Sequence, residues 1–201
     1  MALRILIILT AIVFGFQGHP QTNWDLKKDG HGIKVWAADS GATSFKAVKV
    51  ECLLKGNINR LIEILLDVDN HKNWVYSTIH SYLVKKISEK ELRYYVELEF
   101  PLFTKNRDLV IDMVINRDTT RNVATIYTDA VTGVVPEKDG IIRIVSFHAR
   151  YEVDQVDQDH LHIVYYSVAD PGGAIWPARA NLVVAKGPYN TFINLSGLLA
   201  K

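Results

Sequence analysis

His160 and His162 stand two residues apart in the run DHLHIVYYSVAD, so on a strand they share a face and could hold a metal ion between them. No Cys, Asp or Glu completes a known ligand pattern around them, and a solvated pair at a strand end is the simpler reading. Asp67, Asp69 and Asn70 in LLDVDN suggest a calcium loop. The turn glycine and the distal glutamate of such a loop are missing, and these residues read as helix termination and capping. Cys52 is the only cysteine, so no intramolecular disulfide can form. Within KAVKVECLL it reads as a small core residue, with no activating partner nearby in sequence. There is no Gly-x-Ser-x-Gly, His-Glu-x-x-His, P-loop or dinucleotide fingerprint. No catalytic residue, metal site or cofactor is therefore expected, unless a Ser/His/Asp set is assembled from distant parts of the chain.

These residues belong to a chain of 201 residues, 48% of them hydrophobic, long enough for one large domain and without repeats or linkers that would divide it. Lys and Arg number 23 against 22 Asp and Glu, with no basic run, which argues against a nucleic-acid partner. Arg4 precedes an apolar run from Ile5 to Phe16, the pattern of a secretory signal peptide and too short for a comfortable membrane span. Residues 1–18 are read as that signal, with a poorly marked cleavage site: Val13 with Gly15 fits it, whereas cutting after Gly18 puts bulky Phe16 three residues back. The expected location is secreted or periplasmic; the alternative is membrane anchoring by an uncleaved signal. Loss of the segment removes only Arg4 among the charged residues, so the remaining domain is close to neutral.

The elements that must position any site follow from periodicity. Trp24 to Lys28 suggests a short helical turn, followed by the strand GIKVWAA and its hairpin partner from Ser44 to Leu53. Asn57 can cap a helix whose Ile58, Leu61, Ile62, Leu65 and Val68 share one face, and Asn70 can cap a second short helix holding Trp74 and Val75. Long strands are expected at 82–87, 92–100, 109–116, 123–131, 141–153 and 161–169, joined as an antiparallel meander. Tyr94, Val96, Leu98 and Phe100 alternate with Arg93, Tyr95, Glu97 and Glu99, and Leu109, Ile111, Met113 and Ile115 alternate with polar residues. One sheet face is therefore expected to be wet and the other covered. The cover is a helix beginning near Ala178, with Leu182, Ala185, Tyr189, Phe192 and Leu199 in one stripe and a kink at Gly187-Pro188.

In that order the elements, and three motifs within them, resemble the START domains, the steroidogenic acute regulatory-related lipid transfer family of the helix-grip, polyketide cyclase-like superfamily. The motifs are INRLIEILLDVDNHKNWV, Arg107-Asp108-Leu109-Val110 and ADPGGAIWPARANLVVAKGPY, and the match runs from about Trp24 to Leu199. The resemblance implies an α+β helix-grip fold: a curved antiparallel sheet wrapped around a long C-terminal helix, with two short helices inserted after the first strands. It also implies an apolar tunnel holding one lipid. Strand parity places Tyr94, Val96, Leu98, Phe100, Leu109, Ile111, Met113 and Ile115 on the inner face, with Phe147, Tyr165 and Ala169 from later strands and Leu182, Ala185 and Tyr189 from the helix. Tyr165 and Tyr189 could each offer a hydroxyl to a headgroup. Ordinary core packing would select the same residues. Sterol-binding members carry an interior Arg six residues beyond the strand-opening Arg, and here that position is Met113.

The resulting expectation is a lipid-binding chain, a monomer, that transfers or senses an apolar molecule. Gly172, Gly173, Gly187 and Pro188 would be hinges of a lid that includes Trp176 and Pro177, and Trp176 would touch a membrane interface. The alternative is a helix-grip enzyme of the aromatase/cyclase or hydrolase-like type, which needs polar groups such as His148 or Arg143 to point inward. A third reading is a ligand-gated interaction module.

Overall fold

The computed structural model describes residues 23–41, 43–100 and 105–201. The signal-peptide reading of 1–18 lies outside the described residues. β1 (Asp25–Gly30), β2 (Ile33–Asp39) and β3 (Lys46–Lys55) are followed by α1 (Ile58–Leu66), a 3-10 segment (Val68–Asn73), β4 (Thr78–Lys86), β5 (Glu91–Leu98), β6 (Arg107–Asp118) and β7 (Val123–Val131). β8 (Ile142–Arg143), β9 (Ser146–Gln155), β10 (His160–Asp170), α2 (Pro177–Val183) and α3 (Lys186–Leu199) complete the chain. The strands form one curved sheet in the order β1-β2-β3-β10-β9-β7-β6-β5-β4, antiparallel along this path, with β8 beside β6. This is the α+β helix-grip architecture, with α3 packed against β2, β3 and α1.

Local chemistry explains where the chain departs from its simplest reading. Residues 25–30 form an edge strand, because His31 and Gly32, both at positive φ (55° and 73°), make the two-residue turn that folds them onto β2. Asn57 caps α1, accepting from the Arg60 N–H at 3.0 Å. Asn70 caps nothing: it lies inside the 3-10 segment and accepts from the Asn73 amide, and Trp74 ends that segment. Residues 141–153 form two strands, because β8 runs parallel to the start of β6 before the chain crosses to pair with β10 and β7.

The outer face is not uniformly wet. Tyr95 is 0% exposed, and Asp108 and Glu97 are buried with it. Arg143 crosses to Asp108 through Nε–Oδ1 (2.7 Å) and Nη2–Oδ2 (3.0 Å), and also donates to the carbonyls of Val135 and Pro136. Segment 132–145 thus covers this part of the sheet. Lys138 lies 4.3 Å from the Tyr95 ring centre, and the Tyr95 hydroxyl donates to Asp108 at 3.1 Å.

The C-terminal helix is broken at 184–185 rather than at Gly187-Pro188. Pro188 falls in the first turn of α3, where the backbone N–H groups have no intrahelical acceptor, so its missing donor breaks nothing. Pro177 opens α2 after the extended Trp176 for the same reason.

Candidate functional site

The inner face is built from cross-strand rows. Val50, Tyr165, Tyr151, Ile126 and Ile115 form one; Val48, Ser167, Ala149, Thr128, Met113 and Leu92 form the next. Beyond them lie Ala169 beside Phe147, and Ile111 between Ala130 and Tyr94. One end of this face, under α1 and the C-terminal half of α3, is tightly packed: Cys52, Leu54, Ala124, Val153, Leu161 and Ile163 are buried. Burial pushes the Cys52 thiol up to about 12, with nearby Glu51 adding to it, so the thiol stays protonated. At the other end, toward α2 and the turn after β10, Leu98, Phe147, Ser167 and Ala169 are only half-buried.

A polar and aromatic cluster lies between the two ends. The rings of Tyr151 and Tyr165 are 4.6 Å apart, and both meet Phe192 of α3, at 6.2 and 5.5 Å. Both tyrosines are half-buried by accessibility, yet burial raises the Tyr151 phenol well above its ordinary value and the Tyr165 phenol to about 12, with Ser167 partly offsetting the latter. Burial also raises the Tyr94 phenol, and charge on Tyr165 would raise it further. His71 stands edge-on to Tyr94 (5.3 Å) and to Trp74 (5.2 Å), with Nε2 3.0 Å from the Leu65 carbonyl. Burial lowers its pKa to about 4, so the ring is neutral at ordinary pH and Nε2 donates its proton to that carbonyl.

The residues expected to line a ligand fall into three groups. Tyr94, Val96, Leu109, Ile111, Met113 and Ile115 are buried among the inner-face side chains, with Leu98, Phe147, Tyr165 and Ala169 half-buried beside them. Ala185 and Tyr189 pack on the core and, with Leu182, also line a groove of about 570 Å³ shared with Lys27, Lys28 and Asn190 of the edge strand and α3. Leu182 is not in the interior: it is 84% exposed, because the break at 184–185 turns α2 away from the stripe that α3 continues. Phe100 lies past the end of β5, 4.2 Å from the Arg107 guanidinium. Tyr151 was within reach of the parity that selects Phe147; His71 and Trp74 carry no periodic signal.

The turn between β10 and α2 holds Gly172 and Gly173 at positive φ (65° and 68°). A Cβ on Gly173 would come within 2.8 Å of the Ile142 Cδ1, which can move aside, so it is the positive φ that makes a larger residue strained here. Buried Arg107 fastens this turn to β6, donating to the carbonyls of Pro171 (3.2 Å), Gly172 (3.5 Å) and Lys105. Trp176 is 69% exposed. Gly187 and Pro188 lie inside α3, not at the break. His148 pairs with Asp129 (2.6 Å) on the exposed side and Arg143 is held by Asp108, so neither points inward. His160 pairs with Asp157 and His162 with Glu51.

No protein-family model matches the chain. It is 25% identical over 195 residues, 96% of each chain, to an uncharacterized protein of Pseudomonas aeruginosa. It is 23% identical over 175 residues to the phosphatidylcholine transfer protein of Mus musculus, covering 84% of this chain and 79% of that one. A crystal structure of a STAR-related lipid transfer protein fragment from Xanthomonas axonopodis superposes with a TM-score of 0.81 at 26% identity, over 89% of this chain and 99% of that one. The resemblance carried by the sequence motifs is matched by this likeness over nearly the whole described chain.

Proposed function

We propose that this START-like chain binds one lipid between the inner face of its sheet and the α2–α3 cover, and carries it between membranes. The observation that carries the reading is the inner face itself, apolar and aromatic, packed at one end and half-accessible at the other. Each CH₂ taken from water contributes about 0.8 kcal/mol, so an acyl chain along such a face is held without a specific contact. Likeness to lipid transfer proteins supports this choice over catalysis, and His148 and Arg143, candidate inward polar groups for an enzyme, are engaged on the outer side.

In this reading α2 is the moving part of the cover. It joins the sheet through Gly172 and Gly173, is separated from α3 by the 184–185 break, and has no buried residue. Its exposed Trp176, Leu182 and Val183, with Lys27, Lys28 and Lys186 around the adjoining groove, form an apolar and cationic surface suited to an anionic membrane. The N-terminal segment would direct the chain to a secreted or periplasmic location. The test is transfer of a labelled lipid from donor to acceptor vesicles. The rate is expected to rise in proportion to added protein; a rate equal to the protein-free control would overturn the proposal.

A further inference from the structure

The polar groups inside the sheet narrow the class of ligand, an inference that rests on the lipid-binding reading above. The rings of Tyr151 and Tyr165 lie 4.6 Å apart against Phe192, and Tyr94 belongs to the same interior cluster, so three phenols share one region of the inner face. Among the described residues no protein group is hydrogen-bonded to the hydroxyls of Tyr94 or Tyr151. Ring contacts extend the cluster through His71 to Trp74, whose buried Nε1 has no hydrogen-bond partner among the described residues. Every group in this series is neutral at ordinary pH, and buried polar groups of this kind call for partners of their own kind.

The cations that share the inner-face parity stand at strand ends or on edge strands: Arg107 and Arg117 at the two ends of β6, Lys46 at the start of β3, paired with Asp39 at 3.0 Å, and the exposed Lys28 and Lys86 on β1 and β4. Arg107 donates to the carbonyls of Lys105, Pro171 and Gly172, and Arg117 to those of Asp118 and Val123. A phosphodiester placed among the tyrosines would bury its charge without a facing cation, which is strongly disfavoured, whereas a hydroxyl or ester carbonyl would take up the phenolic donors. We infer that the site takes a lipid whose polar end is uncharged, a hydroxyl or ester of the diacylglycerol type, held by Tyr94, Tyr151 and Tyr165, and discriminates against phospholipids.

The test incubates the purified chain with phosphatidylcholine vesicles carrying minor, equal shares of diacylglycerol and phosphatidic acid, re-isolates it, and quantifies bound lipid by mass spectrometry. Diacylglycerol is expected to be enriched roughly tenfold over its share of the vesicle. The Tyr151→Phe/Tyr165→Phe variant, which keeps ring shape and packing, is expected to keep its circular dichroism and its capacity for lipid but lose the enrichment. Recovery of phosphatidylcholine or phosphatidic acid in proportion to the vesicle would overturn the inference and leave lipid binding standing. Enrichment undiminished in the double variant would overturn the role of the tyrosines. Recovery of no lipid would overturn the lipid-binding reading itself, and this inference with it.

Discussion

The two ends of the inner face are made of similar residues and differ in what closes over them. At one end Cys52, Leu54, Leu161 and Ile163 lie under α1 and the C-terminal half of α3, and all are buried. At the other, Ser167 and Ala169 continue β10 and Phe147 lies beside them on β9, but this end lies toward α2, which buries none of its own residues. Side-chain type alone does not separate core from ligand surface. The cover does, and the cover is set by a helix break two residues long.

Substitutions at the two ends should therefore act on different observables. Leu161→Ala at the packed end is expected to cost about 3 kcal/mol of stability in denaturant unfolding, and to leave lipid uptake unchanged in the molecules that remain folded. A loss below about 1 kcal/mol would mean that this end is not the structural core.

His71, between the ends, gives an effect of similar size that depends on pH. Its pKa is depressed from 6.5 to about 4 by burial. Its contribution is complete above pH 6.5, where both states are neutral. As pH falls from there toward 4 the unfolded chain takes up a proton that the folded chain refuses, and stability drops by on the order of 3 kcal/mol. Stability curves for wild type and His71→Gln are expected to converge as the pH is lowered through that window. Parallel curves would show that the ring is solvated and the interior wet.

Phe147→Ala at the open end is expected to cost about 1 kcal/mol or less, since the ring is already half-exposed, while reducing lipid uptake several-fold. Trp176→Ala should move stability by less than about 0.5 kcal/mol, and its effect should appear only as slower transfer from anionic vesicles. If Phe147→Ala unfolds the protein as readily as Leu161→Ala, the contrast between the ends disappears.

Much of this arrangement was legible in the chain. The alternation of Tyr94 through Phe100 and of Leu109 through Ile115 set the faces of β5 and β6, and Asn57 marked the start of α1. Parity says which side a residue faces but not what lies above it, so the burial of Tyr95 and Asp108 under segment 132–145 could not be read from it. The exposure of Leu182 escaped for a related reason: helical spacing continues through a sequence, whereas the axis turns at 184–185 without a proline or glycine at the break. His31 and Gly32 carried the hairpin signal for β1, but charged residues around it masked the strand.

In the proposed reading the half-accessible end of the inner face holds one lipid. Native mass spectrometry of the protein from its own cells measures this directly, with Ala169→Trp as the variant that fills the open end. The wild-type spectrum is expected to show the chain plus a single lipid mass, lost on solvent extraction and much reduced in the variant. A wild-type mass equal to the bare chain, or a bound lipid that survives undiminished in Ala169→Trp, would contradict it.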